Sequence, residues 1–198
     1  GVKGLFLTDL CFKSLNNPWG GGEAYKIVSC DTVRISNCLF QSQYSSLYYL
    51  GQLYIEGSRG VLVENNNFND KAPIYILSSA TVYSDVRILN NSNIKGLHGV
   101  YTISNSNHFG MKAVLKGNSF SGSYYGYYTD MQSSLDTLIF EGNSLLPPST
   151  SSSVYEFQLT SSAALGILKN NTFEGRRLQT YGIDSIISNR FFEAENTN

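Results

Sequence analysis

Apolar residues recur along this chain in one phrase. Two apolar positions flank a third residue, a polar turn holding Asn follows, and an aromatic or large aliphatic residue closes it. The phrase runs Leu5-Phe6-Leu7 to Phe12, Val33-Arg34-Ile35 to Phe40, and Val61-Leu62-Val63 to Phe68. It returns as Val86-Arg87-Ile88 to Ile94, Ala113-Val114-Leu115 to Phe120, and Leu138-Ile139-Phe140 to Leu145. Weaker copies run from Gly166-Ile167-Leu168 to Phe173 and from Ile186 to Phe191. Alternation of period two predicts a strand at each copy, not a helix turn. The strand anchors fall at 7, 35, 63, 88, 115, 140, 168 and 186, in steps of 25 to 28 residues before a final 18. Such self-similarity is the mark of a solenoid.

Two ladders support stacking. Three residues after the anchor lie Asn66, Asn91, Asn118, Asn143, Asn171 and Asn189, with Leu10 and Cys38 in the first two copies. Asn tolerates left-handed backbone and suits a tight bend. With strands stacked about 4.8 Å apart, such side chains can bond to one another up the solenoid. Next comes the apolar ladder Phe12, Phe40, Phe68, Ile94, Phe120, Leu145, Phe173 and Phe191, in which the Ile94 copy needs a one-residue insertion. A third ladder is expected from Tyr49, Tyr75, Tyr101, Tyr127, Tyr155 and Tyr181, with Tyr25 fitting loosely. These tyrosines are read as an inward aromatic column, leaving Leu50, Ile76, Thr102, Tyr128, Glu156 and Gly182 facing out. The rival reading turns the tyrosines outward as a sugar platform, and Ile74 and Ile76 around Tyr75 favour it.

The fold class expected is all-β: a right-handed, single-stranded parallel β-helix of about eight rungs, each of 25–28 residues. It forms one domain over 1–198, part of a longer solenoid, because bare terminal rungs would expose unpaired edges. The loops Gly20-Gly21-Gly22 and Pro147-Pro148-Ser149-Thr150 read as excursions from rungs.

The repeating phrase resembles the pectate-lyase-like superfamily of right-handed parallel β-helices with Asn ladders and aromatic stacks. It does so most clearly at Val63-Glu64-Asn65-Asn66-Asn67-Phe68 and Leu168-Lys169-Asn170-Asn171-Thr172-Phe173. Within it, the Tyr-, Ser- and Asn-rich composition is most similar to bacteriophage tailspike and appendage proteins. That resemblance implies a homotrimer on the virion surface or outside the cell, binding or cleaving a bacterial surface polysaccharide. Pectate lyases proper bring calcium-binding Asp clusters and a catalytic Arg, and no such cluster stands out here.

Composition narrows the ligand. Charge is sparse at 15% and balanced, 14 basic against 15 acidic residues. That leaves no electrostatic footprint for nucleic acid or an anionic membrane, and suits a neutral or weakly acidic ligand. No apolar run approaches the roughly 20 residues needed to span a bilayer. The three cysteines, Cys11, Cys30 and Cys38, form no zinc or disulfide pattern and read as buried small apolar residues. His98 and His108 fall in loop-like stretches without converging carboxylates, so no metal or cofactor is expected.

The candidate catalytic pair is Asp130 and Glu156. One rung of rise and two residues of offset put them roughly 8 Å apart, within the spacing for an inverting glycosidase. Tyr128 stands alongside to stack on a sugar ring, Asp184 extends the cleft, and Trp19 beside the triple-glycine loop is a further substrate contact. The alternative is that these are solvated surface acids. Polysaccharide lyase action, non-catalytic carbohydrate binding and a structural trimerisation shaft remain the competing functions, since one solenoid can carry all of them. Glu64, Lys116, Glu141 and Lys169 each follow a strand anchor facing out, and the last three are expected to form a charge ladder.

Overall fold

A computed structural model describes residues 3–14, 25–42, 53–69, 74–79, 82–94, 98–103, 110–121, 125–129, 135–146, 157–159, 163–174, 178–180 and 183–192. They form a parallel β-solenoid, and no described residue is helical. An eight-stranded sheet takes one strand from each copy of the phrase, in chain order: Lys3–Thr8, Asp31–Ser36, Arg59–Glu64, Ser84–Leu89, Met111–Lys116, Leu135–Glu141, Ala163–Lys169 and Ser185–Ile187. A seven-stranded sheet runs through Tyr25–Val28, Leu53–Glu56, Ile74–Leu77, His98–Ile103, Tyr125–Thr129, Phe157–Leu159 and Leu178–Thr180. The third face carries short strands: Cys11–Ser14, Leu39–Ser42 and Asn67–Asn69 in one group, Ser119–Ser121, Ser144–Leu146, Thr172–Phe173 and Arg190–Phe191 in the other. Single bridges, Asn67 with Ser92 and Ile94 with Phe120, connect the two groups.

The bend between the first and third faces is the most regular element. Its second residue after the anchor adopts left-handed backbone in every copy: Asp9, Asn37, Asn65, Asn90, Gly117, Gly142, Asn170 and Ser188, with φ between 52° and 64°. Small polar residues and glycine visit this region at low cost. The left-handed residue is therefore the one before the ladder Asn, and the ladder Asn itself has a different task. Asn118 shows it. Its Oδ1 accepts from the Asn91 backbone N–H at 3.0 Å and from Asn91 Nδ2 at 3.0 Å. Its own Nδ2 donates to Ile88 O at 2.8 Å and to Asn143 Oδ1 at 2.9 Å. The same set recurs at Asn91, Asn143 and Asn171, and at Asn66 the Oδ1 accepts from the Cys38 N–H at 2.8 Å instead of from an Asn. All five are buried, so an unpaired amide there would lose its water without compensation.

Inside the solenoid the aromatic ladder stacks as expected. Phe12, Phe40 and Phe68 lie face to face, the latter two with ring centroids 4.6 Å apart and planes within 2°. Phe173 stacks on Phe191 at 5.2 Å. The insertion at Ile94 is taken up by Asn93, at φ 56°, and Ile94 regains register against Phe120.

Three expectations fail. In the seven-stranded sheet the paired positions are Tyr54, Tyr75, Tyr101 and Tyr128, not Tyr49, Tyr75, Tyr101 and Tyr127. Here Ile74, Ile76, Val100 and Thr102 are buried, with Leu53 and Ile55 beside them in the core, so Tyr75 and Tyr101 sit on the face away from it. Ile76 and Thr102 point inward, contrary to the alternation first read. A one-residue change of register turns every side chain over, and Ile alternation is the stronger constraint. Tyr49, Tyr155 and Tyr181 lie outside the described residues. The cysteines also divide: Cys30 and Cys38 are buried, but Cys11 is exposed. His98 opens a strand instead of sitting in a loop.

On the outer surface Lys116 Nζ lies 2.7 Å from Glu141 Oε2, and Lys169 Nζ lies 3.8 Å from Glu141 Oε1, the alternating ladder expected. Glu64 instead pairs with Arg34, whose Nε donates to Glu64 Oε1 at 2.7 Å.

Two outcomes follow. Asn118→Ala removes the acceptor of two buried donors, each worth about 1–3 kcal/mol when orphaned. Urea unfolding should show a loss of at least about 2 kcal/mol, against a few tenths for an exposed substitution on ordinary strand backbone such as Lys3→Ala. The hydrogen bond from Lys116, followed by the charges of Lys116 and Lys169, holds the Glu141 carboxyl below its ordinary value. This stabilisation is full above the pKa of Glu in the unfolded chain and is lost as pH falls through the lowered folded value. Unfolding midpoints taken across that acid window should decline, and Glu141→Gln should flatten that part of the decline.

Candidate functional site

Of the five residues singled out in the sequence, Asp130, Glu156 and Trp19 lie outside the described residues. Tyr128 occupies the seven-stranded sheet, paired with Tyr101 and Gln158. Asp184 is on another face, leading into the last strand of the eight-stranded sheet. Its Oδ2 accepts from the Gly166 N–H at 2.6 Å, while its own N–H donates to Gly166 O at 2.9 Å. Asp184 therefore clamps one strand to the next. The described residues do not bring Tyr128 and Asp184 together.

A different group gathers where the chain enters the eight-stranded sheet. Ser84 and Asp85 open one strand, Met111 and Lys112 the next, and Leu135 and Asp136 the one after. Ser84 pairs with Met111 and Asp85 with Lys112. Met111 pairs with Leu135 but Lys112 pairs with Thr137, so Asp136 is the extra residue of a bulge. Bulges re-aim side chains and are frequent beside active sites. This one turns Asp136 to the outer side, and its carboxylate fills the space that a Cβ on Gly110 would take. Glycine at 110 is thus a packing requirement of the site.

Tyr83 joins the two acids. Burial, then the negative charges of Asp136 and Asp85 and the pull of the Asp136 carboxylate on the hydroxyl proton, push its phenol above the ordinary value. Arg87 Nη2 lies 4.0 Å from Asp85 Oδ2, a loose ion pair. Lys112 stands in register between the two carboxyl-bearing strands without an ion pair to either acid.

Two atoms here break the rule that buried polar groups are bonded. Ser84 Oγ and Asp85 Oδ1 are shut away from solvent with no hydrogen-bond partner. Ser84 is 1% exposed and looks inward beside the Met111 column, so its hydroxyl is a plain loss of stability. Asp85 is on the outer side, with one carboxyl oxygen engaged by Arg87 and the other unsatisfied. Uncompensated groups of this kind are tolerated where function holds them.

Among the described residues no group of three His, Cys, Asp or Glu side chains could hold a metal ion. The tyrosines of the neighbouring sheet make a second polar-aromatic feature: Lys26 Nζ sits 4.4 Å from the Tyr54 ring centre, and Tyr75 meets Tyr101 edge-on at 5.2 Å. At 7% exposure Tyr75 offers no open platform for a sugar.

The acid pair was missed because Asp85 and Asp136 stand at different offsets from their anchors, three and four residues before Ile88 and Phe140. Only the bulge aligns them. The available signal was Leu135-Asp136-Thr137-Leu138, where two polar residues interrupt a strand that should alternate.

No family model matches the chain, and neither the curated proteins nor the solved structures include one significantly similar to it. The site's meaning therefore rests on its own chemistry.

That chemistry makes one stability test. Ser84→Ala deletes an unpaired buried hydroxyl and should raise stability by about 1 kcal/mol or more. Gly110→Ala should displace Asp136 and lower the Tyr83 phenol towards its ordinary value, followed as a difference between ultraviolet titrations with and without Tyr83→Phe.

Proposed function

We propose that this chain is a polysaccharide-depolymerising β-helix, right-handed and of about eight rungs, in the manner of tailspike proteins. In this reading it works outside the cell or on a virion surface, as a homotrimer, and hydrolyses glycosidic bonds of a bacterial surface polysaccharide. The observation that carries it is the pair Asp85 and Asp136, both on the outer side of the sheet, with Asp136 aimed by the bulge and Tyr83 near both charges.

Inverting hydrolysis needs two carboxyl groups about 6.5–9.5 Å apart. The strands bearing Asp85 and Asp136 are two steps apart, about 9.6 Å at about 4.8 Å per step. Asp136 leans over Gly110, just ahead of the intervening strand, which brings its carboxyl group towards that of Asp85. Asp136, oriented by Tyr83, takes a proton from water as that water attacks the anomeric carbon. Asp85 gives its proton to the departing glycosidic oxygen. The water proton and the acid proton balance, and each carboxyl is restored by exchange with solvent.

Lys112 and Arg87 supply two cations beside the pair, which favours a polymer carrying carboxylate or other anionic groups. This accords with the near-neutral net charge of -1, which repels neither neutral nor weakly acidic chains.

The test is digestion of a panel of capsular and O-antigen polysaccharides, pectin and alginate, following reducing ends and the absorbance of unsaturated sugars together. Reducing ends without that absorbance are expected, and Asp85→Asn or Asp136→Asn should each lower the rate by about 10²–10⁴. Growing absorbance would replace hydrolysis with a lyase reaction. Activity that survives both substitutions would remove this pair from the mechanism.

A further inference from the structure

The outer face of the eight-stranded sheet changes character at the acid pair. One outward column reads Arg34, Leu62 and Arg87, then Val114, Ile139 and Ile167. The column beside it reads Asp85, Lys112, Thr137 and Leu165. Both columns carry their charges on the strands before Asp136 and no charge from its strand onward.

A single exposed leucine is ordinary on a protein surface. Here Leu165, 43% exposed, stands beside the half-buried Ile139 and Ile167 and the 7% exposed Val114. These side chains project from the flank of the solenoid, so rungs stacked on either end leave them uncovered. Contiguous apolar groups beside a few polar ones mark ligand sites. The polar member is Thr137, which follows Asp136 in the chain and pairs with Lys112 on one side and Leu165 on the other. Its hydroxyl can donate one hydrogen bond.

We propose that Thr137, Ile139, Leu165 and Ile167 form a specificity subsite for an acetyl group on the sugar next to the scissile bond, an assignment that rests on the hydrolase reading. An acetyl group joins a methyl to a carbonyl oxygen. The methyl lies against Leu165, Ile139 and Ile167, and the carbonyl accepts from the Thr137 hydroxyl. A sugar bearing only hydroxyls would leave the aliphatic groups in water, and a carboxylate is drawn to Lys112 and Arg87 instead. The methyl of a 6-deoxy sugar would leave Thr137 without its acceptor. The preferred polymer therefore carries an anionic sugar on one side of the bond and an acetylated sugar on the other.

The experiment measures kcat/KM on the acetylated polysaccharides of the panel before and after deacetylation. Mild alkali removes O-acetyl groups only, and a separate arm uses an N-acetylated polymer and its N-deacetylated form. In one of the two arms the acetylated form should be cleaved about tenfold faster, the low end of what one methyl-sized group contributes in an apolar site. Leu165→Ser and Thr137→Val should each erase most of that preference. No preference in either arm, or one that both variants retain, would overturn the subsite and leave the hydrolase reading standing. Absence of cleavage on every polymer would overturn both. A drop in oligomeric state on Leu165→Ser, read by sedimentation, would make the patch a protein interface and overturn the subsite alone.

Discussion

A column of buried asparagine amides governs this molecule. A primary amide offers two donors and two acceptor sites, and in a dry interior all must be matched. Here the matching comes from an Asn one strand spacing above and from the residue one spacing below, which is again Asn except under Asn66, where the Cys38 N–H takes its place. The requirement fixes the rung spacing and the register of the bend at the same time. A rung that slipped by one residue would strand several polar groups as well as turn its apolar face outward. Hydrophobic burial supplies most of the favourable energy, as it does generally, but it is non-directional and would accept several registers. The amide column selects one.

That division of labour explains what could be read from the chain. Near the bend the spacing between anchor, left-handed residue, Asn and Phe is constant apart from the one-residue insertion before Ile94, so the Asn and Phe ladders and the eight-stranded sheet were legible. Past the Phe position the connections vary in length, and nothing rigid links the next sheet to the bend. The true column Tyr54, Tyr75, Tyr101 and Tyr128 is separated by 21, 26 and 27 residues. Evenly spaced tyrosines at 26 residues offered a more regular pattern and a false one. Where the regular spacing and the Ile74–Ile76 alternation disagreed, the alternation was the better guide, because burial acts on each rung while spacing is only inherited from loop length.

The carboxylate pair was illegible for a related reason. Asp85 obeys the repeat and Asp136 departs from it by the one residue of a bulge. A repeat-based reading discards such a residue as noise, although a departure from local consistency is where a functional position is expected. The glycine at 110 belongs to the same departure. It is unremarkable in sequence, and only the arrival of the Asp136 carboxylate over it gives it a reason.

The two features are linked through stability. An unsatisfied carboxyl oxygen on Asp85 and an unsatisfied hydroxyl on Ser84 each cost about 1–3 kcal/mol, which is large beside a net stability of about 5–15 kcal/mol. A sheet held by hydrophobic burial alone could relieve them by a small shift of the Ser84–Leu89 strand. Here that strand leads directly into Asn91, whose amide is bonded to Val63 O on one side and Asn118 on the other. Any shift that satisfied Asp85 would break bonds in the column. The ladder thus holds the Asp85 carboxyl in place despite its unsatisfied oxygen, and such preorganisation is what the proposed acid–base pair would draw on.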